Sequence, residues 1–342
     1  MVRRRTWCQE RHRVTIFSID VMKKKIALVY GGNSSEWEIS VMSGRNVAQS
    51  LDSRKYDVYE ILLRGSDWSC RGAQVDKTDF SVTLDGGKVK FDVALIMIHG
   101  TPGENGLLQG YFEMIGVPYT TCSSYVSSLT FDKFACKTFM RDVNIPMAKD
   151  VYLRKGDSYS VGTIAEYLGL PLFVKPSDGG SSFGITKVKR IEDLDSAIKS
   201  AFDEGETVLL EEFIGGRELT QGVYFDGKDI VPLPITEIIP HNEYFDYDAK
   251  YNGKSDEICP ADISREVEET VSRYTCRIYH HFGCIGIVRC DYIVRPDGKV
   301  FFLEINTVPG MTKMSLVPAQ IKAAGLDLSE ILDNIISQVS GK

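Results

Sequence analysis

Charged side chains with the spacing of a metal site occur in one stretch near the C-terminal end, residues 286–310. Apolar, β-branched and aromatic residues run on both sides of an Asp-Gly pair there. This pattern predicts a β-hairpin with a two-residue turn closed by Pro296 and Lys299. In that register Asp291 lies opposite Glu304, on the same face. Opposed side chains have Cβ atoms roughly 4.5–5.5 Å apart, so two carboxylates there repel each other unless a cation compensates them.

A divalent cation would compensate the two negative charges on this face of the hairpin. The same register sets Arg289 opposite Asn306 on the face that carries the carboxylates. Carboxylate and amide oxygens suit Mg²⁺ better than zinc, and Mg²⁺ that binds few protein groups takes its other ligands from water and substrate phosphates. We interpret the face as a metal and nucleotide-phosphate site with Arg289 beside it. The alternatives are a solvated polar face, or an odd-length loop that breaks the pairing.

The composition is that of a globular protein, and the length of the chain suggests two or three packed units. The chain has 342 residues, 43% of them hydrophobic and 25% charged, with a formal net charge of −7. This mild acidity argues against a nucleic-acid partner, which requires a basic face. No apolar run approaches the length of a membrane span. The 8 cysteines show no paired or metal-type spacing, which favours reduced thiols in the cytoplasm.

The first 21 residues differ from the rest. Residues 1–21 are basic and lack the apolar region of a signal peptide. Met22 opens a sequence that reads as the first strand. We therefore interpret residues 1–21 as a leader outside the fold, translated from an early start codon or present as an extra tail. A basic targeting arm is the alternative.

A candidate substrate site follows the first predicted strand, residues 25–30. Two glycines end this strand, and Ser35 precedes Glu38 by three residues, which is a capping-box signature that predicts a helix start. A strand that ends at glycines before a helix N-terminus can bind an anion or a substrate. Glu36 lies at the mouth of this site.

Alternating strands and helices continue through the first third of the chain. This order predicts a parallel sheet. A further strand over 91–98 puts His99 at its carboxyl end, where ligands of open α/β sheets bind. His99 is either a substrate contact or a structural hydrogen-bonding residue.

A Gly/Ser-rich loop at 177–184 is a candidate phosphate-binding loop, because its backbone N–H groups and hydroxyls can bind phosphate oxygens. It has neither the Lys-Ser/Thr ending of a P-loop nor the glycine spacing of a dinucleotide fingerprint. Lys175 before it, and Lys133 at the start of a predicted helix, supply cations. Glu211 and Glu212 end a later apolar strand and are candidates for ribose or adenine contacts. The alternatives are a flexible hairpin loop and solvated surface charges.

These motifs together, from Lys23 to the C-terminus, resemble the D-alanine–D-alanine ligase family of the ATP-grasp superfamily. The matching segments are GGNSSEWEIS, HGTPGENGLLQG, DK, VKPSDGGSSFG, LLEEFIGGRELT, FDYDAKY, RCD and LEINTVPGMTKMSLVP. The resemblance implies an α/β ATP-grasp fold with a Rossmann-like, parallel-sheet N-terminal domain, a central α+β lid domain and a C-terminal α+β domain. The implied domain boundaries are 22–120, 121–210 and 211–342.

The resemblance also implies the reaction and the residues that perform it. ATP phosphorylates the carboxylate of one D-alanine, and the amine of a second attacks the acyl phosphate, which supplies a peptidoglycan precursor. Two Mg²⁺ ions, with Mn²⁺ as a substitute, are expected on Asp291, Glu304 and Asn306. The nucleotide is expected on Lys133, Lys175, Gly180, Ser182, Glu211, Ile214, Glu218 and Lys250. Catalytic roles fall on Glu36, Ser181, Tyr251, Arg289 and the backbone N–H of Gly310. The remaining substrate contacts are expected from His99, Ser315 and Leu316. A cytoplasmic homodimer is implied as well.

Two positions depart from the pattern of the family. Asp178 and Gly179 stand where some relatives have a basic-acidic pair, and Glu212 stands where relatives often have lysine beside the adenine. Tyr251, by contrast, is the residue associated with dipeptide formation, which favours D-alanine as the second substrate. The alternatives are a D-alanine–D-lactate ligase, another ATP-grasp carboxylate–amine ligase, and a nucleotide-binding protein that has lost catalysis.

Overall fold

The computed structural model describes residues 23–178, 184–241 and 255–341. Its first sheet has the strand order β6-β5-β4-β3-β2-β1-β7. The strands are β1 (Lys24–Gly31), β2 (Tyr56–Arg64), β3 (Asp67–Cys70), β4 (Ala73–Asp76), β5 (Ser81–Leu84), β6 (Gly87–Lys90) and β7 (Val93–Met97). β1 pairs in parallel with β2 and β7, as predicted. Alternate residues of β1 pack into different cores on the two faces of the sheet, with Ile26 and Leu28 on one and Ala27 and Val29 on the other.

The second sheet is antiparallel and has the order β10-β9-β11-β8. It consists of β8 (Asp150–Arg154), β9 (Leu172–Pro176), β10 (Thr186–Val188) and β11 (Thr207–Glu212). The helices of the first two-thirds of the chain are α1 (Trp37–Ser50), α2 (Leu107–Ile115), α3 (Ser124–Phe131), α4 (Lys133–Met140), α5 (Val161–Leu168) and α6 (Leu194–Glu204). α5 and α6 contribute apolar residues to the core of this sheet, so one face of it is covered.

The third sheet has the order β15-β14-β12-β16-β17, with β13 paired to β12. Its strands are β12 (Arg217–Phe225), β13 (Ile230–Pro232), β14 (Thr236–Pro240), β15 (Ser255–Ile258), β16 (Val288–Val294) and β17 (Val300–Asn306). The helices that follow are α7 (Arg265–Phe282), α8 (Leu316–Ala323) and α9 (Leu328–Ser340). α9 packs in the same core as β1 and β7, so the last helix fixes the third sheet against the first. No helix of the described ranges is long and apolar enough to span a membrane.

The hairpin formed by β16 and β17 has the predicted pairing but not the predicted turn. Asp291 lies opposite Glu304, as the sequence predicted. The Arg295 N–H donates to the Lys299 carbonyl at 3.0 Å, so these two residues close the turn and Pro296 lies inside it. The turn therefore has three residues, and the predicted two-residue turn is wrong.

A β-bulge restores the register that the longer turn would have shifted. Tyr292 pairs with Phe302 and Asp291 pairs with Glu304, which leaves Leu303 as an extra residue in β17. The extra residue in the turn and the extra residue in β17 compensate each other, so the predicted pairing beyond the bulge is kept. Leu303 itself lines the cleft described below, so the bulge adds an apolar side chain to the wall without displacing Glu304.

One of the two local helix predictions was wrong. Ser35 does not cap α1: the helix begins at Trp37, and the N-cap residue Glu36 makes no side-chain capping bond. The nearby Ser34 hydroxyl instead donates to the His99 carbonyl at 2.8 Å, which ties the start of α1 to the end of β7. The helix predicted to start at Lys133 is confirmed: α4 begins there, and Asp132 is its N-cap.

Candidate active site

A cleft of about 1030 Å³ lies between the three sheets. It brings together every predicted site residue within the described ranges. Those residues are Glu36, His99, Lys133, Lys175, Glu211, Ile214, Glu218, Arg289, Asp291, Glu304, Asn306, Gly310, Ser315 and Leu316. The predictions for Gly180, Ser181, Ser182, Lys250 and Tyr251 fall outside the residues that the structure describes.

The paired strands β16 and β17 present the acidic face to this cleft. The Arg289 Nε and Nη2 atoms donate to the two carboxylate oxygens of Asp291 at 2.9 and 2.8 Å. The Thr220 hydroxyl of β12 donates to Asp291 Oδ1 at 2.5 Å. Asp291 is buried, and this guanidinium balances its charge. Glu304 and Asn306 complete the face on the neighbouring strand.

The oxygen atoms of this face fit Mg²⁺. Asp291 and Glu304 offer carboxylates, and Asn306 offers an amide oxygen whose orientation is fixed because it accepts the Val308 N–H at 3.0 Å. Within the described ranges, no three acidic, histidine or cysteine side chains converge on one point. Such a partial set of hard oxygen ligands suits Mg²⁺, which takes its remaining ligands from water and substrate phosphates.

A buried charge network forms the opposite wall. Glu211 on β11 lies between two lysines: Lys137 Nζ is 2.5 Å from Oε1, and Lys175 Nζ on β9 contacts Oε2. Burial alone would raise the pKa of Glu211, but the charges of Lys175 and Lys137 outweigh it and lower the pKa to about 2. Glu211 is therefore an ionised hydrogen-bond acceptor in the cleft wall. Sequence reasoning missed Lys137, whose spacing of four from Lys133 on a predicted helix was the available signal.

The start of α4 is attached to the chain that follows β9. The Asp132 side chain accepts the Ala135 N–H at 2.9 Å and the Ser177 hydroxyl at 2.8 Å. The Lys133 N–H donates to the Ser177 carbonyl at 2.9 Å. These bonds place the two predicted phosphate-binding lysines, Lys133 and Lys175, on adjoining elements at the cleft.

A hydrogen-bonded chain positions the loop that contains Gly310. His99 Nδ1 lies 2.7 Å from the Val308 carbonyl, which can only accept, so Nδ1 carries the proton. His99 Nε2 then accepts from the Ser43 hydroxyl at 3.0 Å, and Ser43 Oγ accepts the Met311 N–H at 3.0 Å. Burial lowers the pKa of His99 and keeps it neutral. Both ring nitrogens of His99 therefore make hydrogen bonds within the protein. This supports the structural role, which was one of the two roles that the sequence allowed.

Ser315 lies at the end of the same loop, at the N-cap of α8. Its hydroxyl accepts the Thr312 N–H at 3.1 Å and lies 2.8 Å from the Thr312 hydroxyl. A Cβ added to Gly310 would lie 2.9 Å from Ser315 Oγ. Glycine at this position therefore allows the backbone of the loop to approach Ser315 closely.

Glu104 is a second residue that the sequence analysis missed. It is buried in the cleft wall, and its Oε2 accepts the Gly100 N–H at 2.6 Å. Burial, followed by the negative charge of Glu36, raises the pKa of Glu104 to about 8. The cleft thus holds both Glu104 and Glu36 near the end of β7. The only sequence signal for Glu104 was its place in the HGTPGENG segment.

The fold and the cleft define the class of the protein. Two antiparallel α+β units face each other across a cleft lined by lysines and carboxylates. The first sheet, which is parallel at β2, β1 and β7 and antiparallel from β2 to β6, closes the cleft, and the whole is the ATP-grasp architecture. The family model described as D-ala D-ala ligase N-terminus matches residues 25–122. The model described as D-ala D-ala ligase C-terminus matches residues 139–337. The chain belongs to the D-alanine–D-alanine ligase family.

Individual relatives agree with this assignment. A D-alanine–D-alanine ligase of Parabacteroides distasonis is 47% identical over 321 residues, covering 92% of this chain and 97% of the relative. The crystal structure of D-alanyl-alanine synthetase A from Vibrio cholerae is 28% identical with a TM-score of 0.85, covering 94% of this chain and 99% of that one. The D-alanine–D-alanine ligase of Bacillus anthracis complexed with ATP is 30% identical with a TM-score of 0.75, covering 93% and 97%.

Proposed function

We propose that this chain joins two D-alanine molecules into D-alanyl-D-alanine with hydrolysis of ATP to ADP and phosphate, as a step in peptidoglycan precursor synthesis. Membership of the ligase family supports the reaction. The observation that carries the proposal is that one cleft contains the acidic face of β16 and β17, two lysines, and the loop of Gly310 and Ser315. These are the groups that phosphorylation of a carboxylate and attack by an amine require.

The first step brings anions together. A carboxylate oxygen of the first D-alanine attacks the γ-phosphorus of ATP, the bond to the bridging oxygen breaks, and ADP leaves. Lys133, Lys175 and Glu36 line the cleft. The lysines are the proposed groups that neutralise the phosphates, and Glu36 is the proposed partner of the ammonium of the first D-alanine. In phosphoryl transfer the protein contributes mainly by positioning and charge stabilisation.

The second step forms the peptide bond. The neutral amine of the second D-alanine attacks the acyl carbon, and phosphate leaves with the oxygen that came from the carboxylate. Arg289 and the Gly310 N–H are placed to stabilise the oxyanion, each donor of this kind being worth roughly 3–4 kcal/mol of barrier. Ser315 and Leu316, at the start of α8, are the candidates to hold the carboxylate of the second D-alanine.

We assign two Mg²⁺ ions, with Mn²⁺ as a substitute, to Asp291, Glu304 and Asn306. When bound, the ions neutralise phosphate charge and polarise the phosphorus for attack. The roles predicted for Gly180, Ser181, Ser182, Lys250 and Tyr251 stay predictions from the sequence, as do those of Ile214 and Glu218 in the cleft wall.

The domain boundaries of 22–120, 121–210 and 211–342 are likewise proposed. The three sheets, which have separate strand orders, support a division into three units. β11 of the second sheet extends to Glu212, so the second boundary lies two residues later than the predicted one. We also propose that the protein acts in the cytoplasm, where its co-substrate ATP is made.

A homodimer is the proposed assembly. Leu107 and Met114 on α2 and Tyr125 on α3 are large apolar side chains exposed to solvent. Leu107 and Met114 are seven residues apart and therefore share one face of the helix. Burial of this face against a second copy would remove it from water. Light scattering of wild-type protein and of Met114→Glu tests this: we expect a dimer that the charged side chain dissociates, and a wild-type monomer would contradict it.

The experiment for the function measures phosphate release with Mg-ATP and D-alanine, L-alanine or no amino acid. We expect release only with D-alanine, with one dipeptide for each phosphate. Glu304→Gln should lose nearly all turnover because it removes a charged metal ligand, whereas Glu268→Gln, an exposed acid on α7, should not change it. Competition between D-alanine and D-lactate across pH tests the depsipeptide alternative. Release that ignores D-alanine would refute the proposal.

A further inference from the structure

Lys137 on α4 does not line the cleft, yet it contacts a residue that does. Its side chain is 4% exposed. Its ammonium donates to the Ala148 carbonyl at 2.8 Å and lies 2.5 Å from Glu211 Oε1 and 3.3 Å from Asp150 Oδ1. No step of the proposed reaction uses Lys137. A charged side chain buried this deeply is costly unless it is paired and hydrogen-bonded.

Glu211 is the cleft residue that Lys137 holds, and Lys175 binds its other carboxylate oxygen. The two lysines differ in their surroundings. The side chain of Lys175 is 15% exposed and lies in the cleft wall, where it is placed for a nucleotide phosphate. Lys137 is buried, and its ammonium contacts protein groups: the Ala148 carbonyl, Asp150 and Glu211. Lys137 is therefore the partner that stays with Glu211 when Lys175 turns toward a phosphate.

The surroundings of Glu211 fit a purine base. Phe173 lies opposite Glu211 on the neighbouring strand, and Ile185, Ile214 and Leu303 are further apolar residues that line the same cleft. An ionised carboxylate only accepts hydrogen bonds. It therefore favours a purine with a 6-amino donor and disfavours one with a 6-oxo acceptor, whose oxygen would face a negative charge in a poorly solvated site.

We propose that Lys137 is a positioning residue for nucleotide selection, which holds the Glu211 carboxylate ionised and in place so that the cleft accepts adenine and rejects 6-oxopurines. The inference rests on the proposed ATP site. It adds a residue outside the cleft that acts on the base through Glu211. Loss of Lys137 leaves the buried Glu211 carboxylate paired with Lys175, and Lys175 is also needed at the phosphates.

The test compares Lys137→Met, which removes the charge at similar length, with Lys137→Arg, which keeps a charge. Lys199→Met is the matched control, because Lys199 pairs with Asp195 on the surface of α6 with a side chain 70% exposed. Each protein is assayed with Mg-ATP and with Mg-inosine triphosphate, which carries a 6-oxo group, for turnover with D-alanine. Calorimetric titration with each nucleotide measures binding without turnover.

We expect Lys137→Met to raise the KM and the Kd for ATP roughly 10- to 100-fold, the range of a hydrogen bond to a charged group. The kcat should change by less than about threefold because the base does not react. The preference for ATP over inosine triphosphate should fall by about tenfold. Lys137→Arg should keep much of the preference, and Lys199→Met should match the wild type.

A pH series separates this role from simple support of the fold. Glu211 is faced by Lys137 from α4 and Lys175 from β9, while Asp150 of β8 faces Lys137 and lies 3.6 Å from Arg141. Without Lys137, one of the two charges that lower the pKa of Glu211 is lost, so this pKa rises. ATP binding by Lys137→Met should therefore weaken as pH falls. Binding by the wild type should show no such loss. Equal weakening of both nucleotides at every pH would overturn the proposal.

The double variant Lys137→Met/Glu211→Gln covers the case in which Lys137→Met does not fold. It removes both members of the Lys137–Glu211 pair, so neither stays buried without the other. Its preference between the two nucleotides should equal that of Glu211→Gln alone, and a further loss would overturn the proposal. A wild type that binds ATP selectively but does not consume it with D-alanine would refute the ligase function while leaving the selection by Lys137 intact.

Discussion

Replacement of Arg289 by methionine tests the charge balance of the acidic face. In the wild type the guanidinium makes two hydrogen bonds to Asp291, at 2.9 and 2.8 Å, and the two side chains are 13% and 9% exposed. Removal of one partner of a buried pair typically costs about 3–5 kcal/mol, because the other charge stays buried without compensation. Arg289→Met keeps most of the side-chain volume, so the loss is mainly electrostatic. We expect the free energy of unfolding to fall by about 3–5 kcal/mol in metal-free buffer.

Two further measurements identify the origin of this loss. Mg²⁺ should restore more stability to Arg289→Met than to the wild type, because the cation replaces the missing positive charge beside Asp291. The double variant Arg289→Met/Asp291→Asn should be more stable than Arg289→Met alone, since it removes both charges. Urea unfolding followed by circular dichroism, with and without Mg²⁺, measures each value. A loss below about 1 kcal/mol, or a double variant no more stable than the single one, would refute the reasoning.

Three other changes test separate parts of the cleft. The pKa of Glu211 is about 2 in the fold and higher when unfolded, so its contribution to stability is present above about pH 4.5 and is lost as pH falls. Acid titration of Glu211→Gln should therefore show a shallower loss than the wild type, and equal slopes would contradict this. Ser43→Ala removes the acceptor of the Met311 N–H and the donor to His99; we expect about 1–3 kcal/mol less stability and lower kcat in steady-state assays, with unchanged kcat as the contrary result. Gly310→Ala places a Cβ 2.9 Å from Ser315 Oγ, so the KM for the second D-alanine should rise more than the KM for ATP; equal changes would argue against that assignment.

The pairing of the catalytic hairpin could be predicted from the sequence because side chains alternate along strands and an Asp-Gly pair marks a turn. The pairing of Asp291 with Glu304 is confirmed. The turn length was wrong by one residue, and the bulge at Leu303 compensated for it. A bulge is set by packing across the sheet, here with Tyr292 and Phe302 in the core, and a single strand sequence does not encode it.

The charge network behind the cleft could not be predicted. Lys133 and Lys137 lie one helical turn apart in a stretch that the sequence predicted as helical, but the partners of Lys137 come from β8 and β11. Contacts between elements that are distant in sequence depend on the topology of the sheet. The same holds for His99, whose two partners lie on α1 and in the loop after β17.

Secondary structure was missed where its local signals were weak. The strands β3 to β6 are each four residues long and form successive antiparallel pairs at the edge of the first sheet. Segments this short carry too few alternating positions to reveal a period. α7 was also missed, although it is 18 residues long and its buried residues recur at helical spacing, from Val271 through Thr275 and Ile278 to Phe282. The signal was present in the sequence and was overlooked among the charged residues of the exposed face.

The central claim is that a carboxylate oxygen of the first D-alanine is transferred to phosphorus before the peptide bond forms. The most direct measurement supplies D-alanine labelled with ¹⁸O in its carboxylate, together with unlabelled Mg-ATP, and determines the isotope content of the released phosphate by mass spectrometry. We expect one labelled oxygen in each phosphate molecule, in step with the dipeptide. Phosphate without the label, released alongside the same dipeptide, would contradict the acyl-phosphate route.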